Sequence, residues 1–123
     1  MLKIAPSQMD GLVEIRRAAF VDHVRPILRA AHPVPTREMS DAEMNRLIEE
    51  GHRAAIEYGI TADDDVESYL HLLFDLGPGF DRELPFCDVL ARDDWSGHMR
   101  VALMTALHEG RFWDGPLDTP FSP

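Results

Sequence analysis

Glu67, His71 and Asp75 follow one another at four-residue intervals. That spacing sets an acid, a histidine and a second acid on one face of a helix. Such a row can hold a divalent metal or raise the pKa of the imidazole. A protein metal site ordinarily needs three or more convergent ligands, so the competing interpretation is a solvated polar face with weak, screened pairs. Glu49-Glu50-Gly51-His52 contains one Glu-x-x-His. A di-iron carboxylate bundle needs two such motifs plus further glutamates, and the second is absent. His-Glu-x-x-His does not occur either, which removes the commonest metalloprotease signature.

The remaining candidates for chemistry are weaker. Cys87 is the single cysteine. It would act as a nucleophile only with a histidine folded beside it, and His71, His98 and His108 are the possible bases. Lying between Phe86 and Val89, it reads more simply as a small core residue. Ser96 lacks a Gly-x-Ser-x-Gly setting and reads as a helix cap. Gly77-Pro78-Gly79 is no phosphate loop, because Pro78 has no N–H to donate and no Lys-Ser/Thr follows. We therefore assign no catalytic residue, no metal and no cofactor, and expect a protein that is not an enzyme. A small metal-dependent enzyme built on Glu67, His71 and Asp75 is the alternative from that class.

Binding residues stand out more. Asp93-Asp94-Trp95 and Phe112-Trp113-Asp114 each set a tryptophan beside acids in an expected loop. Tryptophan is strongly enriched at interface hot spots, although it also plugs cores. With Phe121, the candidate protein-binding residues are Asp93, Asp94, Trp95, Phe112, Trp113 and Phe121. The net charge of −10 argues against a nucleic-acid partner. Residues 1–38 carry six basic and four acidic groups, a balance of +2, whereas residues 39–123 carry six and eighteen, a balance of −12. That asymmetry can steer a basic partner to the later part of the chain, or it can simply keep a small protein in solution. Arg16, Arg17, Arg25 and Arg29 form a basic stripe without interleaved aromatics, too little for an RNA surface. No apolar run approaches the ~20 residues needed to span a bilayer. The opening MLKIAPSQMDG has no apolar core of a secretory signal. With one cysteine there is no internal disulfide, and the expected setting is a reducing cytoplasm.

The elements that must position these groups are helices. A chain of 123 residues, 45% apolar and 28% charged, is expected to form one all-α domain of about five helices. Ser7 should cap a helix over 7–31, kinked at Pro26 and ended by His32-Pro33-Val34-Pro35. Ser40-Asp41-Ala42-Glu43 spells a capping box for a helix over 41–58. Gly59 should stop it in the left-handed conformation, with Ile60 folding back. Thr61 is expected to cap a helix over 62–76 whose first turn holds Asp63, Asp64 and Asp65, well placed for the dipole. Val66, Tyr69, Leu70, Leu72, Leu73, Phe74 and Leu76 cover an arc of roughly 200°, wider than a surface stripe, which makes this helix central. Gly77-Pro78-Gly79 should end it and turn Phe80 inward. A short helix over 85–91 starts at Pro85. A last helix over 96–109 should bury Met99, Ala102, Leu103, Ala106 and Leu107. The irregular tail, 111–123, holds too many apolar groups for a solvated segment and is expected to lie along the outside. No strand pattern appears.

Tyr58-Gly59-Ile60, Asp64-Asp65-Val66, Tyr69-Leu70 and Leu76-Gly77-Pro78-Gly79-Phe80-Asp81 together resemble the core of small helical proteins encoded beside bacterial type VI secretion effector genes. The resemblance covers residues 40–108 and rests on caps and packing residues. It departs at Pro85-Phe86, where relatives often have proline-tryptophan. It carries no catalytic residue. It implies an accessory or adaptor role that engages a secretion effector, a toxin or its carrier. An immunity protein, whose acidic face covers the basic active site of a toxin, is the alternative.

Overall fold

Ser40 and Glu43 form the reciprocal cap that their spacing spells. The Glu43 amide donates to Ser40 Oγ at 3.1 Å, and the Ser40 amide donates to Glu43 Oε1 at 2.9 Å. In the computed structural model, which describes residues 6–109 and side chains from Ile15 onward, this box opens one of six helices. They are α1 (Pro6–Ala31), α2 (Pro33–Thr36), α3 (Asp41–Glu57), α4 (Asp63–Leu76), α5 (Phe86–Leu90) and α6 (Gly97–His108), with a 3-10 turn at Phe80–Arg82. The fold class is all-α, and among the described residues there is no strand. No described helix is long and apolar enough to cross a membrane. The helices fall into two compact units, residues 1–50 and 51–123, whose boundary lies inside α3.

In the first unit α1 runs through Pro26 and buries Phe20, Val21, Val24 and Leu28. Their spacing is the inner stripe of a helix, and Met44 and Ile48 form its equivalent on α3. His32-Pro33-Val34-Pro35 does end α1, but it also starts α2, which the sequence did not suggest. First-turn amides have no intrahelical acceptor, so Pro33 and Pro35 remove no bond there. Thr36 Oγ1, buried, donates to the His32 carbonyl at 2.7 Å. Arg29 fastens the segment after α2. Its guanidinium donates to the Thr36 carbonyl at 2.9 Å, to the Met39 carbonyl at 2.8 Å and to Asp41 Oδ1 at 2.9 Å.

The second unit begins with the end of α3. The Ile60 amide donates to the Ala55 carbonyl at 2.8 Å and the Gly59 amide to the Ile56 carbonyl at 2.9 Å. With Gly59 at φ +82, this is a Schellman motif, and Ile60 and Ala55 are both buried beneath it. The cap of α4 is Ala62, which has no side-chain bond, rather than Thr61. The helix thus begins one residue later than expected, with all three aspartates in its first turn, where negative charge interacts favourably with the helix dipole. Six of its residues, Val66, Tyr69, Leu70, Leu72, Leu73 and Phe74, are buried; Leu76 is exposed because the chain turns away at Gly77. Phe80 is turned inward as expected. Its ring lies 5.2 Å from that of Tyr69 and 5.6 Å from that of Phe86. α5 buries Val89 and Leu90, and Pro85 precedes the helix rather than opening it.

The expected inner face of α6 is a correction. Val101 and Met104 are its buried residues; Met99 and Ala102 are exposed, while Leu103, Ala106 and Leu107 are half-buried. Apolar residues fall on both sides of this helix, interspersed with His98, Arg100, Thr105 and His108, and the more continuous apolar arc is not the buried one. Gly97 sets the face. A Cβ there would lie 2.2 Å from the Gly59 carbonyl oxygen and 2.8 Å from Ile60 Cα. Glycine alone lets the first turn of α6 rest on the turn that closes α3. Gly97, Val101 and Met104 form one stripe at helical spacing, with Val101 and Met104 buried along it. Ser96 caps the helix as expected, accepting from the Met99 amide at 3.1 Å.

Candidate acidic aromatic surface

Asp75, the last of the expected metal row, belongs to a different interaction. It meets His108 Nε2 of α6 at 2.7 Å. Asp65, in the first turn of α4, meets His98 Nδ1 at 2.8 Å. Ten residues separate the partners on each helix, so α4 and α6 run parallel and are clasped near both ends. Glu67 and His71 remain as a pair at 3.6 Å along α4. Among the described residues no group of three or more His, Cys, Asp or Glu is assembled to hold a metal ion. Cys87 is half-buried rather than core, and the histidines considered as its base are held by Glu67, Asp65 and Asp75.

The segment between α5 and α6 is built differently. Arg92 closes its fork on Asp94, with Nε to Oδ1 and Nη2 to Oδ2 both at 3.2 Å. Its guanidinium carbon lies 4.2 Å from the centre of the Trp95 ring, a cation–π contact. The Arg92 guanidinium holds the exposed Asp94 carboxyl below the usual carboxylate range. One turn into α6, Arg100 grips the loop by its backbone. Its Nε donates to the Arg92 carbonyl at 3.1 Å and Nη2 to the same oxygen, while Nη1 reaches the Tyr58 carbonyl at 2.6 Å. One guanidinium therefore ties the acidic loop to the end of α3. A planar fork with donors on both sides suits this task; a single ammonium does not.

The result is a preformed surface. Trp95 is half-buried, with Asp93 and Asp94 exposed beside it. Next to it opens a hollow of about 430 Å³ lined by Asp88, Val89, Ala91, Arg92 and Trp95. Of the residues singled out for protein binding, the structure brings Asp93, Asp94 and Trp95 together on this loop. Phe112, Trp113 and Phe121 lie outside the described residues, as does the expected tail. Sequence reasoning missed Arg92, Arg100 and Asp88. The close Arg-x-Asp-Trp order was a signal for the first, whereas Arg100 works through backbone carbonyls that leave no trace in composition.

Tyr58 and Asp81 join two further turns of this unit. The Tyr58 hydroxyl donates to Asp81 Oδ2 at 2.6 Å, joining the end of α3 to the 3-10 turn. Burial first, then the hydrogen bond and charge of Asp81, push the phenol pKa up to about 12. Burial also pushes the Tyr69 phenol upward. Searches against protein-family models, curated proteins and solved structures return no match to this chain.

Proposed function

We propose that this chain is a non-enzymatic binding protein, an accessory or adaptor that engages a basic protein through the surface around Trp95. The observation that carries this reading is the loop Arg92–Trp95: an aromatic ring and two exposed carboxylates held in place by Arg100 beside an open hollow. A rigid aromatic group rimmed by charge is the usual make-up of an interface hot spot, because little entropy is lost when it is covered. The balance of −12 over residues 39–123 supports a basic partner. The resemblance around Tyr58–Asp81 supports a place beside type VI secretion effectors, within the cytoplasm, with an effector, a toxin or its carrier as that partner.

The test is affinity capture from the native host at low and moderate salt. Full-length chain is compared with an Asp93→Asn, Asp94→Asn, Trp95→Ala variant. We expect a basic protein retained by the first and lost, by at least tenfold, from the second. No retained protein that depends on the loop would overturn the reading.

A further inference from the structure

The hollow beside Trp95 has a more specific chemistry than acidic surface in general. Its apolar wall is Val89, Ala91 and the Trp95 ring. Its two charged lining groups are not equivalent. Arg92 is already neutralised, with both oxygens of Asp94 in its fork and the indole beneath it. Asp88 is exposed and has no ion-pair or hydrogen-bond partner for its carboxylate among the described residues. Asp93, on the adjoining loop, is in the same position. An incoming cation therefore meets uncompensated negative charge, and an incoming anion meets a guanidinium with its best donors spent.

An apolar wall with one unspent carboxylate matches a long basic side chain. Methylenes of lysine or arginine cover apolar surface while the charged head stays at the wet rim. About 430 Å³ has room for one such side chain and its water. We propose that the hollow receives a single arginine or lysine side chain projecting from the partner protein, with its stem against Val89, Ala91 and Trp95 and its head at Asp88. This assignment deepens the proposed function and rests on it for the identity of the partner, but its test does not need that partner.

Full-length, isotope-labelled chain is titrated with capped pentapeptides that differ only at the central residue: arginine, lysine, norleucine or glutamate. The arginine and lysine peptides should shift the Val89 and Ala91 methyl signals and the Trp95 indole signal in a saturable way, and the other two should not. Asp88→Asn, an exposed change with no packing role, should weaken that binding about fivefold, the scale of one exposed ion pair. Equal shifts with norleucine, or unchanged binding by Asp88→Asn, would overturn the proposal. So would nuclear Overhauser contacts from residues 110–123 to these methyls in the free protein, which would make the chain's own tail the occupant. Saturation by spermidine without saturation by either peptide would also overturn it, in favour of a free polyamine. Peptide binding without a captured host protein would leave this assignment standing and remove the proposed function; the reverse pattern would remove only the assignment.

Discussion

Two side chains in the second unit hold turns together, and their loss has separable consequences. Tyr58 donates to Asp81, and its folded pKa of about 12 stands above the ordinary 10.0. The proton-linked stabilisation from this phenol is therefore complete below about pH 10 and is lost as pH rises towards about 12, because the unfolded chain ionises first. Tyr58→Phe should cost about 1–2 kcal/mol at neutral pH, as one half-buried hydrogen bond to a carboxylate is lost. It should also flatten part of the alkaline fall in stability, with Tyr69 supplying the remainder. Denaturant midpoints across the alkaline range check both statements, and an unchanged slope would contradict the assignment. Arg100 acts on backbone instead. Arg100→Lys keeps the charge but cannot span the Arg92 and Tyr58 carbonyls together. Stability should fall by about 1–2 kcal/mol. Trp95, followed by quenching in a Trp113→Phe background, should become more accessible.

At the scale of elements, two glycines test how helices are placed. At Gly97 an added Cβ meets backbone of Gly59 and Ile60 at 2.2–2.8 Å, and backbone cannot step aside. Gly97→Ala should cost about 3 kcal/mol or more, the upper end of overpacking. At Gly51 the clash is with the Cδ2 ends of Leu70 and Leu73, at 2.6 and 2.7 Å. Those ends can rotate, and alanine gains up to ~1 kcal/mol of helix propensity over glycine. Gly51→Ala should therefore cost clearly less than Gly97→Ala in urea unfolding. An equal cost would mean that the contact of α6 with the closing turn of α3 is softer than its geometry implies. The same contact explains why the inner face of α6 was not legible in sequence. Where apolar residues lie on both sides of a helix, a missing methyl group at one position outweighs the spacing of many leucines and alanines.

For the molecule as a whole, charge is the dominant property. With a net charge of −10 and unneutralised carboxylates at Asp88 and Asp93, association with a basic partner should be fast at low ionic strength and slow as salt rises. The Debye length shrinks from about 10 Å at 0.1 M salt to about 3 Å at 1 M, so most of the rate enhancement should vanish over that range. Stopped-flow measurement with the captured partner checks this, and a salt-independent rate would shift the weight from charge to the Trp95 ring.

The amino-acid order alone determined the features that act over a few residues. The Ser40–Glu43 box, the Gly59 Schellman stop and the Ser96 cap each satisfy backbone amides and carbonyls within one turn, and the aspartates at the start of α4 and the Gly77–Gly79 turn before Phe80 are equally local. Such signals depend only on near neighbours, so they survive in sequence. The α2 turn was hidden because its prolines look like breakers until their first-turn positions are known. The tertiary structure decided which charges meet. It brought Asp75 to His108, paired Asp65 with His98, and sent Arg100 to two carbonyls from separate turns. Partners up to 42 residues apart in the chain are chosen by helix placement, and that placement depends on the close approach at Gly97. The row that sequence spacing offered to a metal thus became part of a clasp between parallel helices, while the site with unspent charge and an open hollow formed beside Trp95.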